Sequence, residues 1–100
     1  MITIVDRHTK EIIYESKKST IKEAVEEAVN KNISLEGANL EGANLEGTNL
    51  YSVNLKEANL KGANLKGVDL IWANLYGANL EEANLEGVNL VWANLRDTKF

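Results

Sequence analysis

The stretch GANLEGANLEGTNL, residues 37–50, decides the fold because it places a leucine at every fifth position. An α-helix would advance such leucines by about 140° per step and scatter them around its circumference. A flat strand would turn them alternately to its two faces, because five is an odd step. Leucines spaced by five lie together only if the chain turns a corner in every pentapeptide, with each leucine pointing inward. The stretch therefore predicts a solenoid.

The repeat continues from Ile33 to the end of the sequence, as a small or β-branched residue, Asn, Leu and two variable positions. The leucine position holds a large apolar residue throughout: Leu35, Leu40, Leu45, Leu50, Leu55, Leu60, Leu65, Leu70, Leu75, Leu80, Leu85, Leu90, Leu95 and Phe100. Alanine dominates the small position, as expected where a bulkier inward side chain would overpack the core. We expect the asparagines to bond the backbone or neighbouring amides, and the glycines to occupy corners with positive φ.

The residue after each leucine indicates how many sides one coil has, a coil being one full circuit of the solenoid. If residues 20 apart stack, charges of opposite sign alternate in the columns that begin at Glu36, Glu41 and Glu46. The fourth column is then apolar: Tyr51, Ile71 and Val91. If residues 15 apart stack, the apolar residues fall among charged ones. Because opposite charges facing each other contribute about 0.2 to 1 kcal/mol per pair and like charges are unfavourable, a four-sided coil of 20 residues is predicted.

The amino-terminal segment begins with two apolar, β-branched runs, ITIV (2–5) and EIIYE (11–15). They flank the polar stretch DRHTK (6–10), which has the composition of a turn. This arrangement predicts a β-hairpin.

The next stretch, STIKEAVEEAVNKN (19–32), has the spacing of an amphipathic helix. Thr20 and Glu23 have capping-box spacing, in which each side chain satisfies an amide at the helix start, so a helix over about residues 20–31 is expected, ended by Asn30 or Asn32. Its apolar face consists of Ile21, Ala24, Val25, Ala28 and Val29. This face has no other core to join, so we expect it to cap the first coil.

The chain is accordingly expected to be mainly β and to divide near residue 32. Residues 1–32 would form the β-hairpin and the capping α-helix. Residues 33–100 would form a β-helix of between three and four coils, in the same folding unit.

Composition argues against several classes of function. A net charge of −4 does not provide the basic surface that nucleic acid requires, and no run of about 18 apolar residues could cross a membrane. No signal peptide is visible, so a cytoplasmic location is expected. The absence of cysteine and the single His8 leave little for metal binding, and no cofactor is expected.

Catalysis is not expected either. Glu36, Glu41 and Glu46 are close in sequence, but successive pentapeptides lie on different sides of the coil, so these carboxylates cannot share a proton or a metal. His8 lies in a polar turn and is interpreted as a surface residue. A core filled with leucine leaves no cavity for a small-molecule substrate.

The outward residues of one side are the strongest functional signal. The apolar column of Tyr51, Ile71 and Val91 adjoins a corner column that contains both tryptophans, Trp72 and Trp92. Exposed aromatic residues in a contiguous strip are typical of protein-protein contacts, so a protein partner is expected, most simply a homodimer. Two alternatives are that the aromatic ladder only stabilises the stack, or that the hairpin folds over it.

The far end of the solenoid lacks a capping helix within this sequence. Either Phe100 folds over the layer of Leu95 as a plug, or this end contacts a second copy end to end. Both hypotheses follow from the unpaired backbone that a solenoid presents at its ends.

Residues 33–100 resemble the pentapeptide-repeat family, whose motif A-(D/N)-L-X-X is present nearly without interruption. The resemblance implies a right-handed quadrilateral β-helix with the leucine and the preceding small residue inside. The first segment resembles a hairpin-plus-helix leader found before the repeats in some bacterial and phage members. The small position departs from alanine at Thr48, Val53, Val68, Val88 and Thr98. These departures predict a core that is slightly swollen on one side.

The family also implies an alternative function. Its quinolone-resistance members are similar in shape and charge to a DNA duplex, and they bind DNA gyrase. The repeats here carry nine acidic residues against five basic ones, a slight excess, and Lys56, Lys61 and Lys66 interrupt the acidic pattern. A rod of this few coils is also short beside a duplex segment. Gyrase inhibition or protection by DNA mimicry is therefore the second hypothesis.

Overall fold

A computed structural model describes all 100 residues and contains three regular elements. They are strand β1 (Ile2–Val5), strand β2 (Ile12–Ser16) and helix α1 (Ile21–Asn30). β1 and β2 pair antiparallel, with an irregularity in register between Ile4 and Val5. The predicted hairpin and helix are thus both present. The rest of the chain consists of turns and single parallel bridges.

The hairpin turn is organised by Asp6. Its carboxylate accepts hydrogen bonds from the backbone N–H of His8 and of Thr9, at 2.8 and 2.9 Å. The bond from Thr9, followed by that from His8, lowers the pKa of Asp6 because both favour the charged carboxylate. An aspartate that bonds its own following backbone is a common way to start a tight turn.

Helix α1 begins and ends with specific caps. Thr20 is the N-cap, and its hydroxyl oxygen accepts from the N–H of Glu23 at 3.2 Å. The Glu23 carboxylate accepts from the Thr20 hydroxyl rather than from an amide, so only half of the predicted capping box forms. At the other end Asn32 has φ 58°, and the N–H of Ile33 donates to the carbonyl of Ala28, which is the Schellman arrangement.

The repeats stack at a spacing of 20 residues, as predicted, and not at 15. Parallel bridges join equivalent Asn positions of successive coils in four columns: 39, 59, 79 and 99; 44, 64 and 84; 49, 69 and 89; 54, 74 and 94. The backbone pairing is regular, since the N–H of Leu35 donates to the carbonyl of Asn54 and that of Asn59 to the carbonyl of Ala38. Four pentapeptides therefore complete one coil.

The core is the predicted inner column of leucines. Every leucine from Leu35 to Leu80 in the repeat register is at most 2% exposed, and the small residues beside them are mostly buried as well. In the last coil the leucines Leu85, Leu90 and Leu95 are only half-buried. The structure places no further coil against that layer.

Each corner is a turn stabilised by the side chain of the preceding Asn. The Asn39 amide oxygen, for example, accepts from the N–H of Glu41, and Ser34 and Asp69 make the same contact at their corners. Ladders between asparagine amides appear chiefly in one column, from Asn64 to Asn44 at 3.3 Å and from Asn84 to Asn64. The expected backbone role of the asparagines is confirmed, and it explains why Asp and Ser can replace them.

The predicted pairing of opposite charges along the columns takes another form. The Glu46 carboxylate accepts from the amide of Asn64 at 3.2 Å, although Lys66 follows it in its column. The Lys56 ammonium lies over the ring of Tyr76, 5.7 Å from its centroid. Exposed ion pairs are weak, so local hydrogen bonds and ring contacts compete with them successfully.

The amino-terminal segment covers the first coil. Asp6 forms an antiparallel bridge with Ala38, and the N–H of Asn39 donates to the carbonyl of Val5 at 2.8 Å. The hairpin thus continues one side of the coil stack with a strand of opposite direction. Val25 of helix α1 and Ile4 of β1 are buried in the same cluster as the leucines. The expected contact of the helix face with the core is present.

Thr48 is the weak point of this core. It is fully buried at a small inward position, and its hydroxyl has no hydrogen-bond partner. Its column continues with Val68 and Val88, so the wider residues do share one side, as the sequence predicted. Replacing Thr48 with valine should raise the free energy of unfolding by about 1 kcal/mol, because it removes an unsatisfied buried hydroxyl at nearly constant volume. Urea unfolding of the variant measures this gain.

The matched control for this prediction is Val68→Thr, which introduces a hydroxyl one coil further on. It should destabilise by a similar amount. A Thr48→Val variant less stable than the unsubstituted protein would contradict the assignment of an unpaired hydroxyl.

Candidate interaction surface

The five residues predicted as an interface lie together along one corner of the stack, and we call them the aromatic strip: Tyr51, Ile71, Trp72, Val91 and Trp92. Tyr51, Ile71 and Val91 occupy the same turn position in three successive coils. At each of these three corners the N–H is held by the preceding side chain: Asn49, Asp69 and Asn89, at 3.0, 3.0 and 3.1 Å. The corners that present the strip are therefore built like all the others.

Most of the aromatic strip is open to solvent. The exposed fractions are 51% for Tyr51, 55% for Trp72, 53% for Val91 and 72% for Trp92, whereas Ile71 is half-buried. The hairpin lies against the first coil at Ala38 and leaves both indoles exposed. The alternative in which the hairpin folds over the tryptophans is therefore wrong for this structure.

The two tryptophans stack on each other. Their ring centroids are 5.7 Å apart and their planes are 16° from parallel. The backbone beneath them is paired, since the N–H of Trp72 donates to the carbonyl of Val91 at 3.0 Å. The pair forms a continuous apolar surface across two coils, and each ring keeps one face or edge free.

Both tryptophans occupy a strained backbone conformation that sequence reasoning missed. Trp72 has φ 63° and Trp92 has φ 61°, in the left-handed region that disfavours bulky side chains. Seven of the equivalent corners use glycine, with φ between 67° and 73°. A signal was present in the sequence, because each Trp stands where the other repeats have Gly. The strain costs about 1 kcal/mol per residue, so these side chains are not the choice that local stability favours.

A groove of 410 Å³ lies at the amino-terminal end of the strip, and sequence reasoning also missed it. Its walls come from the end of helix α1 and from the first coil: Val29, Asn32, Ile33, Ser34, Tyr51, Ser52, Val53 and Asn54. The groove arises where the helix packs across the coil stack, an arrangement with no local sequence pattern. It extends the apolar surface beyond Tyr51.

The residues predicted at the far end are also accessible. Phe100 is 63% exposed and Leu95 is half-buried. A plug would bury the leucines of the last coil, and the exposure of Phe100 does not favour it. The end-to-end contact stays a prediction.

The main cluster of shifted ionisable groups lies away from the strip, between β2 and helix α1. The Tyr14 hydroxyl donates to the Glu27 carboxylate, which raises the pKa of Tyr14 and lowers that of Glu27. The Lys31 ammonium lies 5.8 Å from the centre of the Tyr14 ring, and its hydrogen bond with Tyr14 raises the pKa of Lys31. These contacts fasten the helix to the hairpin.

The chemical inventory of the surface is otherwise simple. No three side chains of the His, Cys, Asp or Glu type converge on a point where a metal ion could bind. His8 is exposed in the hairpin turn. The structure contains no helix with the length and hydropathy needed to span a membrane.

Comparison with known proteins identifies the repeats. Residues 31–67 and 63–100 match the family model for pentapeptide repeats, with eight copies. No curated protein matched the sequence.

Similar solved structures include three pentapeptide repeat proteins. A protein of the Arabidopsis thaliana thylakoid lumen is 35% identical, with a TM-score of 0.64, over 65% of this chain and 45% of that one. Rfr23 of the cyanobacterium Cyanothece 51142 is 41% identical, with a TM-score of 0.60, over 62% and 43%. HetL of Nostoc sp. strain PCC 7120, involved in heterocyst differentiation regulation, is 37% identical, with a TM-score of 0.56, over 68% and 34%.

The match to these structures spans less than half of the length of each of them. The resemblance lies in the repeat unit and in its stacking at 20 residues per coil. From its sequence motif, its coil geometry and these matches, this chain belongs to the pentapeptide-repeat family.

Proposed function

We propose that this chain is a non-enzymatic protein-interaction module that binds a partner protein through the aromatic strip. Its repeats are assigned the right-handed quadrilateral β-helix of the family. The observation that supports the interaction role is the exposure of Trp72 and Trp92 at corners with positive φ. Tryptophan and tyrosine are enriched among the residues that dominate binding energy.

The energetics argue against a purely structural role for the strip. Stacking of the two indoles contributes about 0.5 to 1.5 kcal/mol. The left-handed backbone at Trp72 and Trp92 costs about 1 kcal/mol for each residue, so the two effects nearly cancel. A ladder that served stability alone would gain little over glycine. Burial against a partner would instead remove most of the remaining exposed area of both rings from water.

The alternative of DNA mimicry receives less support from the charges. The longest dimension of the molecule is 31 Å, and a duplex of that length carries about 18 negative charges. The repeats carry nine acidic and five basic residues, which is far from that density. The aromatic strip has no role in such a function.

Replacing both tryptophans with glycine separates binding from folding. The double variant Trp72→Gly with Trp92→Gly should stay within about 1 kcal/mol of the original stability, because relief of backbone strain offsets the lost stacking. Immobilised on a resin, it should lose the protein that the unsubstituted chain captures from an extract of the native host. Urea unfolding and capture are measured on the same preparations.

The matched control is Ser52→Gly, which makes the same backbone change in the same column (φ 60° at Ser52) without removing an aromatic ring. It should keep both stability and capture. A loss of more than about 2 kcal/mol in the double tryptophan variant would assign the strip to the fold and overturn the proposal.

A further inference from the structure

We propose that the partner of the aromatic strip is a second copy of this chain, related by a two-fold axis that runs parallel to the stacking direction of the coils. This inference rests on the proposed function and adds the identity and the orientation of the partner. The argument comes from the charges on the two corner columns that flank the strip.

The two flanking columns carry opposite charges at the same levels. The column that precedes the strip is acidic at Glu46 in the first coil and at Glu86 in the third. The column that follows the strip is basic at Lys56 and at Arg96. The parallel bridges at a spacing of 20 residues set these levels. The strip thus has an acidic border on one side and a basic border on the other.

A symmetric contact through the strip can be made in two ways. If the two-fold axis is perpendicular to the stacking direction, each border faces itself upside down, so that Glu46 approaches Glu86 of the second copy. Lys56 then approaches Arg96, and both pairings are repulsive. If the axis is parallel to the stacking direction, the acidic border of each copy faces the basic border of the other. Like-charge contacts are unfavourable, so charge complementarity selects the parallel axis.

The middle coil agrees with this selection. The borders there carry Lys66 and Tyr76, so the perpendicular axis would bring Lys66 against its own counterpart. The parallel axis places each Lys66 beside a Tyr76 ring. Lys56 already lies over the Tyr76 ring within one chain, which shows that this ring accepts an ammonium group.

The strip itself is self-complementary about the parallel axis. Each residue faces its own counterpart, so Trp72 meets Trp72 and Trp92 meets Trp92 of the second copy. Aromatic pairs of this kind contribute beyond the area that they bury. The net charge of −4 on each copy opposes association only weakly at physiological salt, where charges more than about 8 Å apart are largely screened.

The strip is narrow, so the affinity should be modest. Stable interfaces bury about 800 Å² on each partner, more than five side chains supply. We expect a dissociation constant in the range of roughly 10 to 100 µM. Sedimentation equilibrium up to about 500 µM protein should therefore show a reversible monomer–dimer equilibrium for the full chain.

Charge reversal tests the orientation. Glu46→Lys with Glu86→Lys makes both borders basic, and Lys56→Glu with Arg96→Glu makes both acidic. Each double variant alone should dimerise about tenfold or more weakly than the original chain, and an equimolar mixture should recover association as a heterodimer. With the perpendicular axis, the borders already repel, so neither variant would lose affinity. That result would overturn the proposed orientation.

A cysteine placed in the strip column supplies an independent measurement, because the chain has no cysteine of its own. In the proposed dimer, Ser52 faces Ser52 of the second copy, so Ser52→Cys should oxidise readily to a disulfide-linked dimer. Lys61→Cys lies half a coil away on the opposite corner and should not. Equal cross-linking of both variants would contradict the strip as the contact.

The possible failures are distinguishable. If the unsubstituted chain is a monomer at every concentration, the second copy is excluded as the partner. The interaction role of the strip is then still decided by the tryptophan-to-glycine variants and their capture of another protein.

Discussion

Replacing Leu60 with alanine should lower the free energy of unfolding by about 3 to 4 kcal/mol. Leu60 is fully buried in the inner leucine column, between the layers of Leu40 and Leu80. The substitution removes three buried methyl or methylene groups and leaves a cavity, which the hydrogen-bonded coils above and below cannot easily close. Urea unfolding followed by far-ultraviolet circular dichroism measures the loss.

The matched control is Leu90→Ala, which makes the same chemical change in the last coil. Leu90 is only half-buried, and no coil covers it, so the loss should be about 1 to 2 kcal/mol. The difference between the two variants reports the contribution of stacking on both sides. Equal losses would contradict the description of the last layer as partly open.

Replacing Val25 with aspartate should have the second largest effect, a loss of about 4 kcal/mol or release of helix α1 from the first coil. Val25 is fully buried, and its neighbours on the helix face, Ala24 and Ala28, are buried too. None of these aliphatic side chains can pair a carboxylate, so the charge would have to be protonated or exposed. Release of the helix would in turn expose Leu35 and Ile4.

Hydrogen exchange distinguishes global from local loss in this variant. Amides of helix α1 and of the first coil should lose protection first, while those of the central coils retain it. Asn30→Asp is the control, because it adds the same charge at an exposed position of the same helix and should cost well under 1 kcal/mol beyond its effect on the helix dipole. Unchanged protection in Val25→Asp would contradict the capping role of the helix.

The sequence predicted most of the solenoid because each repeat uses the same local chemistry. Asn39 and its equivalents bond the backbone of the next corner, and glycine occupies the left-handed position that follows. The spacing of 20 was also available, because the outward residues form coherent columns only at that distance. The charges indicated the correct spacing even though Glu46 and Lys56 take other partners in the structure.

The candidate surface was predicted in its residues but not in its energetics. The five residues of the aromatic strip follow from the column arithmetic alone. The strain at Trp72 and Trp92 required backbone angles, and the groove beside Tyr51 required the position of helix α1. These features depend on contacts between parts of the chain that share no periodicity.

The sequence by itself determined the five-residue corner, the inward leucines and the four-column stacking. These follow from short-range turn chemistry and from the need to bury one large apolar side chain in every repeat. Only the tertiary structure decided that the hairpin joins the first coil at Ala38 in antiparallel direction, that the Thr48 hydroxyl lies without a partner, and that both tryptophans stay exposed. The physical reason is that these outcomes depend on how side chains from distant positions fit against one another, and no local pattern in the sequence carries that information.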